Sequence, residues 1–337
     1  MINVGLVGVG KMGMSHFSIL GAHPNVKVAA ICDSAGYLTS GLRKYTGVNT
    51  YKDYQQMLDK ESLDCIFVAT PTRTHYEIAA YAINKGIAVF SEKPLCLSSD
   101  ESAKLVELAK AKQVANQVGY HNRFIGTFRE TRRLVQAGAI GDFYHVSGSA
   151  FGQVVIKAKT GITWRANKNH GGGCLQDYAS HVVDLMNFVV GPPEAVLSAQ
   201  LQSIYSDAVE DAVYASLRYP NGASGQLETN WSDESHRKMS TTIIVYGTKG
   251  KIISDRQECR VFLKAGESFE DYQEGWTIKY ITELQEPVNF YLRGEEYSAQ
   301  IDSFIAAVEK KNVAGENSFA SAYQTDRTIE MIRNIAG

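Results

Sequence analysis

Three short runs in this 337-residue chain hold side chains able to do acid–base or charge-stabilising chemistry. The first is Ser91-Glu92-Lys93-Pro94. An ammonium group such as Lys93, set at the end of a strand, can hydrogen-bond a hydroxyl and stabilise developing alkoxide character. A lysine before proline is also a common solvated loop residue. The second run is Gly171-Gly172-Gly173-Cys174-Leu175-Gln176-Asp177-Tyr178-Ala179-Ser180-His181-Val182-Val183-Asp184-Leu185. Asp177 is expected to begin a helix, so Asp177 and His181, four apart, would share one face. Imidazole, with an ordinary pKa of about 6.5, is the usual general base near neutral pH. Asp177 would bind substrate or orient the site. The bland alternatives are a helix cap for Asp177 and a core histidine for His181; Asp184, one turn on, reads as structural. The third run is Gly119-Tyr120-His121-Asn122-Arg123-Phe124. Tyr120 and Asn122 are candidate substrate or ribose contacts. Arg123 reads equally as a packing salt bridge.

A fourth run binds rather than reacts. Gly8-Val9-Gly10-Lys11-Met12-Gly13 has the spacing GxGxxG, after a strand and opening a helix. In that setting Gly8 permits the tight turn, Gly10 lets a pyrophosphate approach the backbone, and Gly13 lets helix and strand pack closely. The helix N-terminus then offers N–H groups and a partial positive charge to phosphate. Asp33 lies 20 residues after Gly13. At the end of the second strand it is placed to accept from adenosine ribose hydroxyls. It would also repel a 2′-phosphate, and Ser34 rather than an arginine follows it. NAD is therefore expected over NADP.

The elements that must position these runs follow from periodicity. Strands are expected at 3–9, 26–32, 63–69, 87–91 and 114–119, alternating with helices near 11–20, 35–46, 53–59, 74–85 and 98–112. That alternation predicts a parallel sheet with helices on both faces, an α/β Rossmann dinucleotide-binding domain over residues 1–120. From Tyr144 the character changes. Runs near 196–205, 211–219, 225–231, 241–246, 252–255 and 261–265 alternate polar and apolar residues, as half-buried antiparallel strands do. Pro220-Asn221-Gly222 is a strong hairpin turn between two of them. Helices near 295–311 and 318–334 close the chain. Residues 121–337 are thus expected to form an α+β domain on a mostly antiparallel sheet of about six strands.

Composition narrows the partners. Lys plus Arg total 34 and Asp plus Glu 36, a formal charge of −2, which argues against a nucleic-acid binder. No apolar run approaches the roughly 18 residues of a membrane span, and no basic leader precedes the first strand. The five cysteines are scattered without a CxxC pair, so neither a disulfide framework nor a metal site is expected. A cytoplasmic setting is the simple reading. Between Gln153 and His170 lie Lys157, Lys159, Arg165 and Lys168 and no acidic residue. This loop runs into the triglycine and is either a solvated basic loop or an attractor for an anionic part of a substrate. Trp164 within it is a candidate for stacking on a sugar ring or cofactor.

Together, GVGKMG, the strand-end Asp33, ATPTRTH at 69–75, EKP at 92–94, GYHNRF at 119–124 and GGGCLQDYASHVVDL at 171–185 resemble the glucose–fructose oxidoreductase, inositol dehydrogenase and rhizopine-catabolism (Gfo/Idh/MocA) family over essentially the whole chain. The resemblance implies a catalytic set of Lys93, Asp177 and His181. It implies cofactor contacts from the glycine loop, Asp33, Ala69, Thr70, Pro71, His75, Glu92, Lys93 and Pro94, with Pro94 commonly cis. The candidate substrate contacts are Lys93, Tyr120, Asn122, Lys157, Trp164, Arg165, Asp177, Tyr178 and His181. For residues 121–337 the resemblance implies a substrate-binding and oligomerisation domain with a large, mostly antiparallel open sheet. It further implies a homodimer or homotetramer through the second sheet. Two positions depart from the family pattern: Ala179 stands where glycine is usual, and Tyr178 is bulky enough to narrow the pocket or simply pack. The function implied is oxidation of a secondary hydroxyl on a sugar, cyclitol or sugar derivative by hydride transfer to NAD. Two rivals share the same motifs: a redox-neutral glycosidase that retains NAD, and a non-catalytic dinucleotide-binding regulator.

Overall fold

The computed structural model describes residues 1–156, 164–313 and 315–337. Lys157 and Lys159 lie outside the described residues. The chain divides into two compact units: Met1–His121 with Pro287–Tyr323, and Asn122–Glu286 with Gln324–Gly337. The division differs from a single cut at residue 120, because Pro287–Tyr323 returns to the first unit. The reason is apolar burial: Ile301, Phe304 and Ile305 complete the first core, against rings such as Phe67 and Phe90.

The first unit runs β1 (Ile2–Val7), α1 (Lys11–Ala22), β2 (Val26–Cys32), α2 (Gly36–Thr46), β3 (Asn49–Tyr51), α3 (Tyr54–Lys60), β4 (Cys65–Val68), α4 (His75–Asn84), β5 (Ala88–Ser91), α5 (Ser99–Lys112) and β6 (Asn116–Val118). All paired strands are parallel, in the order β3-β2-β1-β4-β5-β6. The order reverses between β1 and β4, and ligands of open α/β sheets bind at the strand carboxyl ends beside such a reversal. β4 and β5 are buried throughout, which is why they read as unbroken apolar runs. The three-residue β3 was not expected; its brevity leaves almost no period to detect.

The second unit holds α6 (Gly126–Gln136), β7 (Phe143–Phe151), α7 (Ser180–Val190), β8 (Ala195–Gln202), β9 (Ala212–Arg218), β10 (Ser224–Asn230), β11 (Ser240–Gly247), β12 (Gly250–Ser254), β13 (Glu258–Leu263), β14 (Gly275–Tyr280) and α8 (Ile281–Leu284). The sheet has eight strands rather than about six, in the order β14-β13-β12-β11-β7-β10-β9-β8. Among the described residues of this sheet, only β7 and β10 pair in parallel. Two strands account for the difference. Central β7 buries Val146, Gly148 and Ala150, residues too small to announce a core face. They are small because α7 lies on them: a Cβ at Gly148 would come 2.6 Å from Val182 and 2.7 Å from Met186. Edge strand β14 leaves Trp276, Ile278 and Tyr280 half exposed. Helix α6 was also missed, since much of its buried face is polar: Thr127, Glu130 and Thr131 lie beside Phe128 and Leu134. Tyr272 and Arg133 satisfy the Glu130 carboxylate. α9 (Glu295–Glu309) and α10 (Phe319–Ala336) close the chain.

Candidate active site

Each glycine of the first turn has a distinct surrounding. Gly8 has φ +91°, and a Cβ there would come 2.6 Å from the Ala69 carbonyl oxygen. A Cβ on Gly13 would overlap the Gly8 carbonyl oxygen. Around Gly10 nothing lies within 4 Å of that position. Two glycines thus close the turn and one leaves an open approach, the division of labour that a bound pyrophosphate requires. No side chain caps the N-terminus of α1 and no acidic residue sits in its first turn, so the helix itself supplies no charge against its positive end. Lys11 is exposed and Met12 half-buried there.

Asp33 follows β2 and is tied to the same turn. Its Oδ2 accepts from the Val9 N–H at 2.8 Å and its Oδ1 from the Ala35 N–H at 2.8 Å. Two amides orient the carboxylate, and its remaining lone pairs can accept from ribose hydroxyls. These residues fit a dinucleotide.

The carboxyl ends of β4 and β5 carry the next residues. Ala69 and Thr70 are half-buried and Pro71 is exposed. His75 is buried, and its ring spans two loops. Nε2 lies 2.9 Å from the Thr70 carbonyl oxygen, and Nδ1 lies 3.0 Å from that of Pro94 and 3.3 Å from that of Leu95. The ring packs between the ATP and EKP segments within hydrogen-bond distance of each, and when neutral its single N–H donates to one of them. Burial pulls its pKa below the ordinary histidine value, although these carbonyls and the Glu92 charge oppose that. Lys93 is half-buried, and the Lys93–Pro94 peptide bond is cis. Tyr120 is fully buried in the first core.

In the second unit the triglycine folds its loop back on itself. The N–H groups of Gly171, Gly172 and Gly173 donate to the carbonyls of Lys168, Asn167 and Arg165 at 3.2, 3.0 and 3.1 Å. Asp177 does not begin an α-helix. It lies inside a five-residue π-helical turn, Leu175–Ala179, and α7 starts only at Ser180. Asp177 and His181 therefore straddle a change of pitch instead of sharing a regular face. π turns are rare and concentrate at functional sites. The cap alternative fails as well: the N-cap position is Cys174. The Leu175 N–H donates instead to Glu210 Oε1 at 2.8 Å, and the Cys174 N–H to the Glu210 carbonyl at 2.9 Å. Burial raises the Glu210 pKa, against the Leu175 hydrogen bond. Its neighbour Asp211 accepts from the N–H groups of Ile204, Tyr205 and Ser206 and from the Trp231 indole at 2.6 Å, which anchors this corner. No sequence signal points to Glu210, 35 residues from the amide it caps.

Asp177 and His181 are both buried, at 7% and 6% exposure. Arg165 Nε donates to Asp177 Oδ2 at 2.9 Å, so this arginine anchors the carboxylate. Trp164 begins a short 3₁₀ turn ending at Ala166, and Lys168 begins another. Tyr178 is buried in the second core, edge-on to Trp231, a contact that suits the packing reading. Arg123 forms a bidentate pair with Asp184: Nε to Oδ2 at 2.8 Å and Nη2 to Oδ1 at 2.6 Å. The packing reading of Arg123 and the structural reading of Asp184 hold. Asn122 is 1% exposed, and its side-chain amide meets no hydrogen-bond partner among the described residues.

Comparison with known proteins identifies the family. Residues 2–120 match the family model described as oxidoreductase family, NAD-binding Rossmann fold, and residues 128–253 match the GFO/IDH/MocA C-terminal domain. Levoglucosan dehydrogenase from Pseudarthrobacter phenanthrenivorans is 27% identical over 285 residues, covering 75% of this chain and 73% of the relative. The scyllo-inositol 2-dehydrogenase (NAD(+)) of Bacillus subtilis is 24% identical, covering 84% of each. A solved levoglucosan dehydrogenase in complex with NADH and levoglucosan superposes with a TM-score of 0.88 at 24% identity, covering 99% of this chain and 96% of that one. Together the two family models match most of the chain, which belongs to the Gfo/Idh/MocA family of NAD-binding oxidoreductases.

Proposed function

We propose that this protein is an NAD-dependent dehydrogenase that reversibly oxidises a secondary hydroxyl of a sugar, cyclitol or sugar derivative. The observation that carries the reading is Lys93, half-buried at the carboxyl end of β5 in a nucleotide-binding sheet, with carbonyls on its C-terminal side tied to His75. When bound, NAD supplies the hydride acceptor. Lys93 stabilises the developing alkoxide. His181 takes the hydroxyl proton as general base and returns it in the reverse direction. Asp177, held by Arg165, fixes a neighbouring hydroxyl. Asn122, buried with an unpartnered amide, is a further hydrogen-bonding group for substrate. Asp33 supports NAD over NADP, because its oriented carboxylate would face a 2′-phosphate with like charge. The basic loop through Arg165 and Lys168 suits a substrate with an anionic portion.

The outer face of β14 supports a homo-oligomer. Trp276, Ile278 and Tyr280 are 53%, 43% and 51% exposed on an edge strand, an apolar stripe of the kind that marks an interface. Trp276→Lys is expected to shift the species seen by light scattering toward monomer. Burial of all five cysteines outside any disulfide suits a reducing cytoplasm.

The test is NADH formation with NAD⁺ and NADP⁺ across inositols, free sugars, uronates and sugar nucleotides, with Lys93→Ala as control. Activity abolished in the variant supports the reading. Activity unchanged in Lys93→Ala would overturn it.

A further inference from the structure

We propose that His16 and Glu92 are positioning residues that fix Lys93 to helix α1, the helix whose N-terminus follows the glycine loop. This rests on the reading of Lys93 as the alkoxide-stabilising group. The Glu92 side chain does not point out beside its neighbour Lys93. It turns inward, at 13% exposure, and its Oε1 lies 2.6 Å from His16 Nε2. Its Oε2 is 3.4 Å from the Lys93 N–H. His16 is a full turn into α1 and wholly buried. Its ring is wedged against Phe67, with centroids 5.7 Å apart, and edge-on to Phe90 at 5.3 Å.

The pocket for this carboxylate is built, not incidental. Gly119, at the end of β6, lies under it: a Cβ there would come 3.2 Å from Cδ and from both oxygens. Any larger residue at 119 would therefore press on the carboxylate. Burial alone would raise the Glu92 pKa. The His16 hydrogen bond, with favourable electrostatics from His16 and Lys93, brings it below the ordinary carboxylate range. Glu92 is thus an anion, and the His16 N–H donates to it.

The consequence is geometric. Residue 92 is held by a histidine from α1, and residues 94 and 95 are held by His75 from the start of α4. Lys93 sits between two pinned neighbours. A long, flexible side chain loses reach and direction if its backbone drifts, and errors of about 1 Å cost on the order of a hundredfold in rate. Sequence alone offers no reason to link positions 16 and 92, which are 76 residues apart.

The experiment reads Lys93 directly, so it does not depend on turnover. Intact protein is labelled with trace acetic anhydride, and acetylation of Lys93 is measured by peptide mass spectrometry relative to exposed Lys104 and Lys110. Wild type is compared with His16→Ala, His16→Asn, Glu92→Gln and Gly119→Ala. The expected result is a change of about threefold or more in relative Lys93 labelling in His16→Ala, Glu92→Gln and Gly119→Ala. His16→Asn, which keeps a donor, moves back toward wild type. In turnover His16→Ala loses kcat by about tenfold or more, with KM for NAD⁺ within about threefold. Unchanged Lys93 labelling in variants with wild-type circular dichroism would overturn the proposal, whichever variants fold. A labelling response combined with full NADH formation by Lys93→Ala would leave the brace standing and sink the proposed role of Lys93 instead.

Discussion

Gly10→Ala separates binding from folding. Gly10 has φ −65° and ψ −168°, a conformation open to alanine. Nothing lies within 4 Å of the added carbon. The folded state therefore pays no steric penalty, while the unfolded chain loses freedom. The substitution should be neutral or stabilising by about 0.4–1 kcal/mol, and for a unit of this size that is a rise in Tm of about 1–4 °C. The open approach to Gly10 is where a pyrophosphate would come near the backbone. A methyl group inserted into such a contact costs about 1–3 kcal/mol. That corresponds to a Kd for NAD⁺ raised about 5- to 150-fold. Thermal unfolding and calorimetric titration with NAD⁺ measure the two quantities on one sample. Gly13→Ala is the contrast, since its Cβ overlaps the Gly8 carbonyl oxygen; it should lower Tm and weaken binding together. A Gly10→Ala protein that binds NAD⁺ within about twofold of wild type would refute the assignment. So would a Tm lowered by more than about 5 °C.

Other expectations follow from single contacts. Asp184→Asn strips the charge partner from buried Arg123, and loss of one member of such a pair costs about 3–5 kcal/mol; urea unfolding of the variant would show it. Gly173 has φ +103°, and a Cβ there would overlap Glu210 Oε1, the cap of the π turn. Gly173→Ala should therefore lower kcat more than it weakens NAD⁺ binding, read by steady-state kinetics beside titration. Because the folded-state pKa of Glu92 is lowered, its contribution is complete above the ordinary glutamate value of about 4.3 and is lost as pH falls through the lower folded value. Glu92→Gln should flatten that acid limb in a series of unfolding curves taken below about pH 4.3.

The nucleotide-binding unit was legible because its chemistry is local. Gly8, Gly10 and Gly13 act through neighbouring backbone, and Asp33 bonds to the Val9 and Ala35 amides of adjoining loops. Its inner strands are buried on both faces, so their composition alone marks them. The second unit was harder. Strand β7 pairs centrally yet hides behind Gly148 and Ala150, whose small size answers to α7 some 35 residues later in the chain. The buried side of α6 is polar because Tyr272 and Arg133 satisfy it, so no apolar stripe betrays the helix.

By itself, the sequence determined the residue types able to react, the turn that receives a dinucleotide, and the α/β order of the first unit. Those depend on spacing along the chain and on intrinsic backbone preference. Only the tertiary structure decided that Asp177 sits in a π turn capped by Glu210, that Arg123 is consumed by Asp184, and that the Lys93 loop is held by His16 through Glu92 and by His75. Each of these joins groups 19 to 76 residues apart. The desolvation that makes such pairings selective exists only once the core has closed around them.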